Sequence, residues 1–353
     1  MRRARLLVPG LALAAALVAA TSACQPSINS DPSTWSNHDL AAQLVVAGVD
    51  MGNLPAAQRW VRAGLGGIVL GGTAPANLGA QLQAVRSAGA VPPLICSDEE
   101  GGQVQRLARL IYPLPSAGRL GRGLNTAQIQ WLAADYGRRM KALHVDVDLA
   151  PVADLGIPGY YIASLDRAFS ADPAAVARDA NAWAAGMLSA GVLPVVKHWP
   201  GHGQATNSHT GSATTPSLNV LAHRDMIPFA AAFAAGVPAV MVGHLTVPGL
   251  TEPGRPATVS PAAYRYLRAR AGQTLIMTDS MSMGAVTAAL GLSDATAALR
   301  ALQSGADVVL VNSNDPMSIV GTVQHAIDTG TYPRAAAVVA ARHMLAVKRR
   351  VNQ

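Results

Sequence analysis

A chain of 353 residues holds enough material for one large domain or two ordinary ones. Half of it is hydrophobic and only 13% is charged, a balance that excludes a disordered chain. The formal charge is +7, yet the arginines are scattered and aromatics make up 4%, which excludes nucleic acid as a partner.

In chain order, Arg2, Arg3 and Arg5 precede an apolar stretch over residues 6–20, then Thr21, Ser22 and Ala23. This is the layout of a secretory signal peptide over 1–23, too short for a convincing membrane span. Cys24 follows directly, and the tetrapeptide resembles a bacterial lipobox with Thr21 where Leu is usual, so lipidation at Cys24 is expected. The expected location is outside the cytoplasm, lipid-anchored to the outer face of the cytoplasmic membrane, or secreted. Loss of the signal's three arginines lowers the formal charge to +4. Residues 24–35, rich in Pro, Ser and Asn, read as a tether. With Cys24 acylated, Cys96 is the one thiol left, so no internal disulfide is available and the fold must stand on its core.

Short apolar, β-rich runs fall at 44–49, 67–70, 94–97, 145–151, 193–198, 239–244, 274–278 and 307–311. Segments of helical period separate them at 56–63, 77–87, 127–143, 173–190, 220–235, 261–271, 295–304 and 316–329, and a last helix is expected over 334–349. Continuous apolar runs, without period-two alternation, indicate strands covered on both faces, as in parallel sheets with crossover helices. Eight such units predict an α/β fold, a single TIM-type (β/α)8 barrel over 36–353 with no second sandwich domain. A doubly wound open sheet is the alternative, and the units share no consensus that would make a solenoid.

In a parallel barrel the chemistry sits at the carboxyl ends of the strands. Eight of the 20 acids cluster there: Asp50, Asp98, Glu99, Glu100, Asp146, Asp148, Asp154 and Asp279. Any one of them has a bland reading as a helix cap, but that reading does not extend to the whole set. Residues 197–209 hold one of only three lysines and three histidines (His198, His202, His209) in a stretch broken by Pro200, Gly201 and Gly203. The spacing fits no zinc template, and no Cys or Glu lies nearby. Histidines that merely hold a tight loop are one reading; recognition of hydroxyls by Lys and His with proton transfer is the other. Asp279, delivered by an apolar strand among Thr278, Ser280 and three methionines, suits an ionised nucleophile or electrostatic stabiliser. Two-step glycoside hydrolysis needs such a carboxylate and a second group to protonate the leaving oxygen.

Asp98-Glu99-Glu100-Gly101-Gly102-Gln103-Val104-Gln105-Arg106 resembles the D-x-E-G-G-x-V-Q-R block of glycoside hydrolase family 3. Asp166-Arg167-Ala168-Phe169-Ser170, Lys197-His198-Trp199-Pro200-Gly201-His202-Gly203, and Thr278-Asp279 with Met283 resemble its later blocks, in the right order. The likeness spans most of 36–330 and points to the NagZ-type β-N-acetylglucosaminidase branch, in its exported, LpqI-like lipoprotein form. It implies Asp279 as nucleophile, His209 as acid/base, and Asp98, Arg106, Arg167, Lys197 and His198 as the residues that hold the terminal sugar. It also implies a retaining exo-enzyme that removes GlcNAc from muropeptides or related cell-wall glycans, and a site with no metal and no organic cofactor; separately, a monomer is expected.

Three positions depart from the family pattern. The Asp two residues before the loop histidine is Asn207, in a loop one residue shorter. The Asp that usually follows the nucleophile is Ser280, and the Phe of the Lys-His-Phe block is Trp199. A neutral Asn orients an imidazole but does not stabilise imidazolium, which for one close charge pair is worth on the order of 1–3 kcal/mol. These departures leave two alternatives: a sugar-binding lipoprotein with weakened or lost catalysis, and a family-3 enzyme acting on another sugar or using phosphate in place of water.

Overall fold

The computed structural model describes residues 26–352. The signal peptide read over 1–23 and Cys24 lie outside the described residues. Twelve strands follow in chain order: β1 (Val45–Asp50), β2 (Gly67–Gly71), β3 (Leu94–Ser97), β4 (Glu99–Gly101), β5 (Val104–Gln105), β6 (Val147–Asp148), β7 (Leu193–Trp199), β8 (Ala213–Thr214), β9 (Ala239–Val242), β10 (Leu245–Thr246), β11 (Leu275–Ser280) and β12 (Val308–Val311). Eight of them close a barrel in the order β1-β12-β11-β9-β7-β6-β3-β2. Each expected apolar run supplies one barrel strand. Because β1 pairs in parallel with both β2 and β12, the sheet has no free edge and the open-sheet alternative is ruled out.

The helices begin where the sequence offers caps. Asp172, Ser260 and Asp315 each accept a backbone N–H at a helix start, with proline at the first helical position, where its missing N–H costs nothing. Asn125 and Gln128 form a reciprocal capping box ahead of Thr126–Ala142. The helix expected over 220–235 is instead two, Leu218–Ala222 and Ile227–Ala234. Pro228 fits only the first turn of a helix, so the second must start anew just before it. The run at 145–151 gives only the two residues of β6, because Pro151 has no N–H to continue the ladder. Asn37–Gln43 and Ala117–Gly123 are helices with no strong periodic signal.

Inside the barrel, Val46, Val69, Leu94, Val147, Val195, Met277 and Val308 form one cluster with Met344, Val347 and Val351 of the last helix, Arg334–Val351. That helix crosses the end where the strands begin. Lys348 Nζ donates to Gln43 Oε1 at 2.7 Å, two residues ahead of β1, and Lys141 Nζ donates to the Val351 carbonyl at 2.6 Å. This end is closed; the other, where the strands finish, is open. Cys96 is buried in the barrel interior, its thiol pushed well up by burial.

Residues 28–35, read as part of a tether, instead lie along the closing helix. Arg349 donates to the Ile28 carbonyl at 3.1 Å, Asp31 pairs with Arg342 at 3.0 Å, and Arg334 donates to the Ser33 and Trp35 carbonyls. The physical reason is Trp35, which is 1% exposed and anchors the segment in the core. Residues 26–352 thus supply every barrel strand, the helical layer and the closing helix, so the barrel is complete without the segment before it. No helix among the described residues is long and apolar enough to cross a membrane.

Candidate active site

At the open end the strand tips converge on a cavity of about 510 Å3. β3 delivers Asp98 and runs on into the β4–β5 hairpin, whose turn uses Gly101 (φ 82°) and Gly102 (φ 59°), a left-handed backbone that glycine adopts without strain. Alternation then sorts the three acids. Asp98 and Glu100 line the cavity, while Glu99 turns back into the protein. Glu99 fastens the hairpin: it accepts from Ser97 Oγ at 2.5 Å, Tyr136 Oη at 2.7 Å and the Arg106 amide at 3.3 Å. Burial pushes its carboxyl up to about 7 and that of neighbouring Asp148 up to about 8.

β7 carries Lys197 and His198 to the same cavity. Lys197 Nζ donates to Asp98 Oδ1 at 2.8 Å and lies 2.6 Å from Glu100 Oε1. Glu100 is held from its other side by Arg167 in a two-pronged pair, Nε to Oε2 at 2.7 Å and Nη2 to Oε1 at 2.8 Å. Burial alone would raise the Glu100 carboxyl, but Lys197 and Arg167 outweigh it and bring it down to about 2. Burial likewise works against the charges on Lys197 and Arg167, and these carboxylates hold both groups above their usual range. Arg106 stands 3.7 Å from Asp98 at the rim. The loop bearing Arg167 is pinned by Asp166, which pairs with Arg122 at 3.0 Å and accepts from Ser116.

His198 Nδ1 is 2.7 Å from Asp154 Oδ2. Asp154 is buried and also accepts the amides of His198 and His202, and the two rings together with these amides keep it ionised against burial. With Asp154 charged, Nδ1 of His198 is the donor in this bond.

β11 delivers Asp279. The Ser280 amide donates to Asp279 Oδ1 at 2.7 Å. Burial opposes ionisation there, but the neighbouring His244 and His198 rings, the Ser280 amide and Lys197 hold the carboxyl below its ordinary value. Behind the strand, buried His244 bridges Thr258 Oγ1 and the Ser280 carbonyl, each at 2.8 Å, and burial lowers its basicity. Ser280 lines the cavity with a buried hydroxyl that has no hydrogen-bond partner among the described residues.

His209 arrives from the loop that follows β7. Asn207 Oδ1 accepts the His209 amide at 2.9 Å, so the side chain standing where the family pattern has Asp shapes its own turn. Among the described residues no carboxylate is hydrogen-bonded to the His209 ring. Two bonds fasten the loop to the segment just past Asp279: Gly284 N–H to the His209 carbonyl and Ala285 N–H to the Ser208 carbonyl, both at 3.2 Å. A side chain at position 284 would strike that carbonyl, so only glycine permits the approach. Underneath lies buried His202, pushed down to about 4 by burial and 3.4 Å from Ser208 Oγ. The His209 ring meets Tyr161 edge-on, centroids 6.5 Å apart.

All seven residues expected in the site, Asp98, Arg106, Arg167, Lys197, His198, His209 and Asp279, line this one cavity. Sequence reasoning passed over Glu100 as a cavity residue, although strand alternation with Asp98 gave the signal. Tyr161 and Asn312 also line the cavity and had no signal, because each reaches it from a loop or short helix. Among the described residues, no three of His, Cys, Asp and Glu meet as a metal site.

A closed parallel barrel whose open end gathers an ionised Asp, a His and a network of Lys, Arg and carboxylates in one cavity has the groups that glycoside hydrolysis requires. The chain belongs to glycosyl hydrolase family 3: the profile of the "Glycosyl hydrolase family 3 N terminal domain" matches residues 39–347. It is 37% identical over 318 residues to beta-hexosaminidase LpqI of Mycobacterium tuberculosis, covering 86% of this chain and 81% of that one. The solved structure of M. tuberculosis LpqI superposes with a TM-score of 0.84 at 35% identity, over 92% of this chain and 97% of that one. Beta-N-acetylhexosaminidase from Beutenbergia cavernae superposes with a TM-score of 0.80 at 28% identity, over 89% of this chain and 98% of that one.

Proposed function

We propose that the protein is a retaining exo-β-N-acetylglucosaminidase that removes terminal GlcNAc from muropeptides or related cell-wall glycans. The observation that carries this reading is the meeting of Asp279 and His209 in one cavity with the Asp98–Lys197–Glu100–Arg167 network. The names of its relatives as hexosaminidases support the sugar class. In the proposed sequence the Asp279 carboxylate attacks the anomeric carbon while His209 gives a proton to the departing glycosidic oxygen. A covalent glycosyl-enzyme forms. His209 then takes a proton from water, whose oxygen attacks the same carbon and releases Asp279. Asp98, Lys197, Arg167, Arg106 and His198 hold the sugar's hydroxyls and N-acetyl group. The low basicity of the Asp279 carboxyl suits a nucleophile that must be ionised at neutral pH. Export and acylation at Cys24 are part of the same reading and rest on the composition of residues 1–24.

The test is release of p-nitrophenol from its β-GlcNAc glycoside between about pH 4 and about pH 9, for the unaltered protein and His209→Ala. A bell-shaped profile that collapses in the variant is expected. No turnover at any pH with GlcNAc still bound would favour a sugar-binding protein, consistent with a His209 ring that has no carboxylate partner among the described residues. Release that depends on added phosphate would favour phosphorolysis.

A further inference from the structure

The two ends of the barrel differ in charge, and the chain enters at the basic one. Each crossover helix returns from strand tips to strand starts, so the helix C-termini gather at the closed end. Arg59 and Arg62 finish the helix Leu54–Arg62, and Arg349 and Arg350 finish the closing helix. Arg59, Arg62 and Arg350 are exposed and Arg349 is half-buried, and none of the four has a carboxylate partner among the described residues. Helix macrodipoles favour cations at these positions, but other cations at the same end already serve the fold. Arg86 and Lys141 hold buried Asp146, and Arg268 holds Asp307. The exposed acids of this end are engaged: Asp31 by Arg342 and Asp328 by Asn37. At the open end, by contrast, Asp50, Asp172 and Asp315 are exposed and without an ion-pair partner among the described residues.

The second observation is the path of the N-terminal segment. The Ile28 carbonyl is held by Arg349, and Pro26 and Arg62 line one cavity together with Asp39, whose carboxylate is engaged by Ser36. Pro26, the first described residue, therefore lies beside Arg62, and Ile28 lies beside Arg349. We propose that the closed end of the barrel docks on an anionic lipid surface, with the arginines around the chain's entry set against lipid phosphates and the catalytic cavity facing away. Juxtamembrane cations act in this way over a distance of about one Debye length. Export decides only which membrane is met; the charge distribution and the chain's entry point carry the docking itself.

The test uses residues 26–353, which hold the complete barrel and lack the segment read as signal and anchor. Partition is measured onto vesicles of phosphatidylcholine alone and of phosphatidylcholine with one third phosphatidylglycerol, at low and high salt. Binding is expected only with phosphatidylglycerol and lost at high salt. Arg59→Gln/Arg62→Gln/Arg350→Gln should weaken it about a hundredfold, at about fivefold per arginine. Solution turnover should be unchanged, so failure of docking and failure of the glycosidase reading are separately visible. The matching Arg→Lys triple variant should retain binding, which separates charge from a folding defect. Equal partition onto neutral vesicles, or a Gln variant that binds as the unaltered protein does, overturns the proposal. So does tighter retention on double-stranded DNA than on anionic vesicles at equal salt, which would assign the face to polyanions.

Discussion

Two of the three lysines are buried, one at each end of the barrel, and they behave in opposite ways. Lys197 at the open end is 3% exposed and touches two carboxylates, Asp98 and Glu100. It is held firmly cationic. Lys348 at the closed end is fully buried, and among the described residues its one hydrogen-bond partner is the amide oxygen of Gln43. Burial pushes it down to about 7, which the more distant charge of Asp146 only partly offsets. Burial by itself disfavours an ammonium; contact with carboxylates reverses the sign. At the open end Lys197, Glu100 and Arg167 stay ionised because they pair with one another, which is the condition for the sugar-holding role proposed for them. The closed end moves its buried cation toward neutrality and functions as packing.

The comparison can be broken by substitution. The largest effect is expected from Asp279→Ala, which removes the proposed nucleophile. Turnover of the aryl β-GlcNAc should fall on the order of 10⁴-fold or more, with sugar binding kept. An unimpaired variant would take Asp279 out of the mechanism and the open end out of the role given to it.

Next is Lys197→Met, which leaves Asp98 with only the longer contact to Arg106 and Glu100 with Arg167 alone. Breaking a buried pair from one side costs about 3 kcal/mol or more. The urea midpoint should drop accordingly, and kcat/KM should fall about a hundredfold through substrate binding. Equal stability to the unaltered protein would mean that the network is not the source of charge stabilisation at this end.

Asn207→Asp restores a carboxylate two residues before His209 while its oxygen can still cap the turn. Favouring the imidazolium should move the alkaline limb of the pH profile upward and raise turnover about tenfold. An unchanged profile would show that the His209 ring is out of reach of position 207.

The smallest effect on turnover is expected at the closed end. Lys348→Met exchanges a lysine whose charge is disfavoured by burial for an apolar chain of similar length, so turnover should be unchanged and stability near pH 7 should be kept or rise, by up to about 4 kcal/mol. The pH dependence is the sharper readout. The folded value of Lys348 lies below its unfolded one, so from about pH 7 up to the ordinary lysine range the unfolded chain binds more protons. Stability contributed by this site therefore rises with pH across that window. Urea midpoints at about pH 7 and about pH 9 should show that rise in the unaltered protein and lose it in the variant.

Much of the barrel was legible because strands buried on both faces must be continuously apolar, and all eight runs became barrel strands. The exceptions have local causes. Pro151 shortened β6, and Pro228 split one expected helix into two. In the cavity, residues delivered by strand tips, such as Asp98, Lys197, His198 and Asp279, stood out as polar groups at the ends of apolar runs. Tyr161 and Asn312 did not, because nothing in a loop's composition says which way it folds. Residues 28–35 read as a tether from Pro, Ser and Asn, yet the single buried ring of Trp35 binds the segment to the closing helix.

What the sequence determined by itself is the alternation of eight apolar runs with helical segments, the side chains carried at each strand tip, and the motif order that marks the family. These are local properties, set by periodicity, capping and residue type. Only the tertiary structure decided how residues far apart in the chain meet. The amides of Gly284 and Ala285 draw the His209 loop to the segment past Asp279, and Glu100 becomes the shared partner of Lys197 and Arg167. Likewise, closure of the barrel gives one buried lysine two carboxylates and the other an amide. The charge of a buried group depends on its neighbours in space, and only the closed barrel fixes those neighbours.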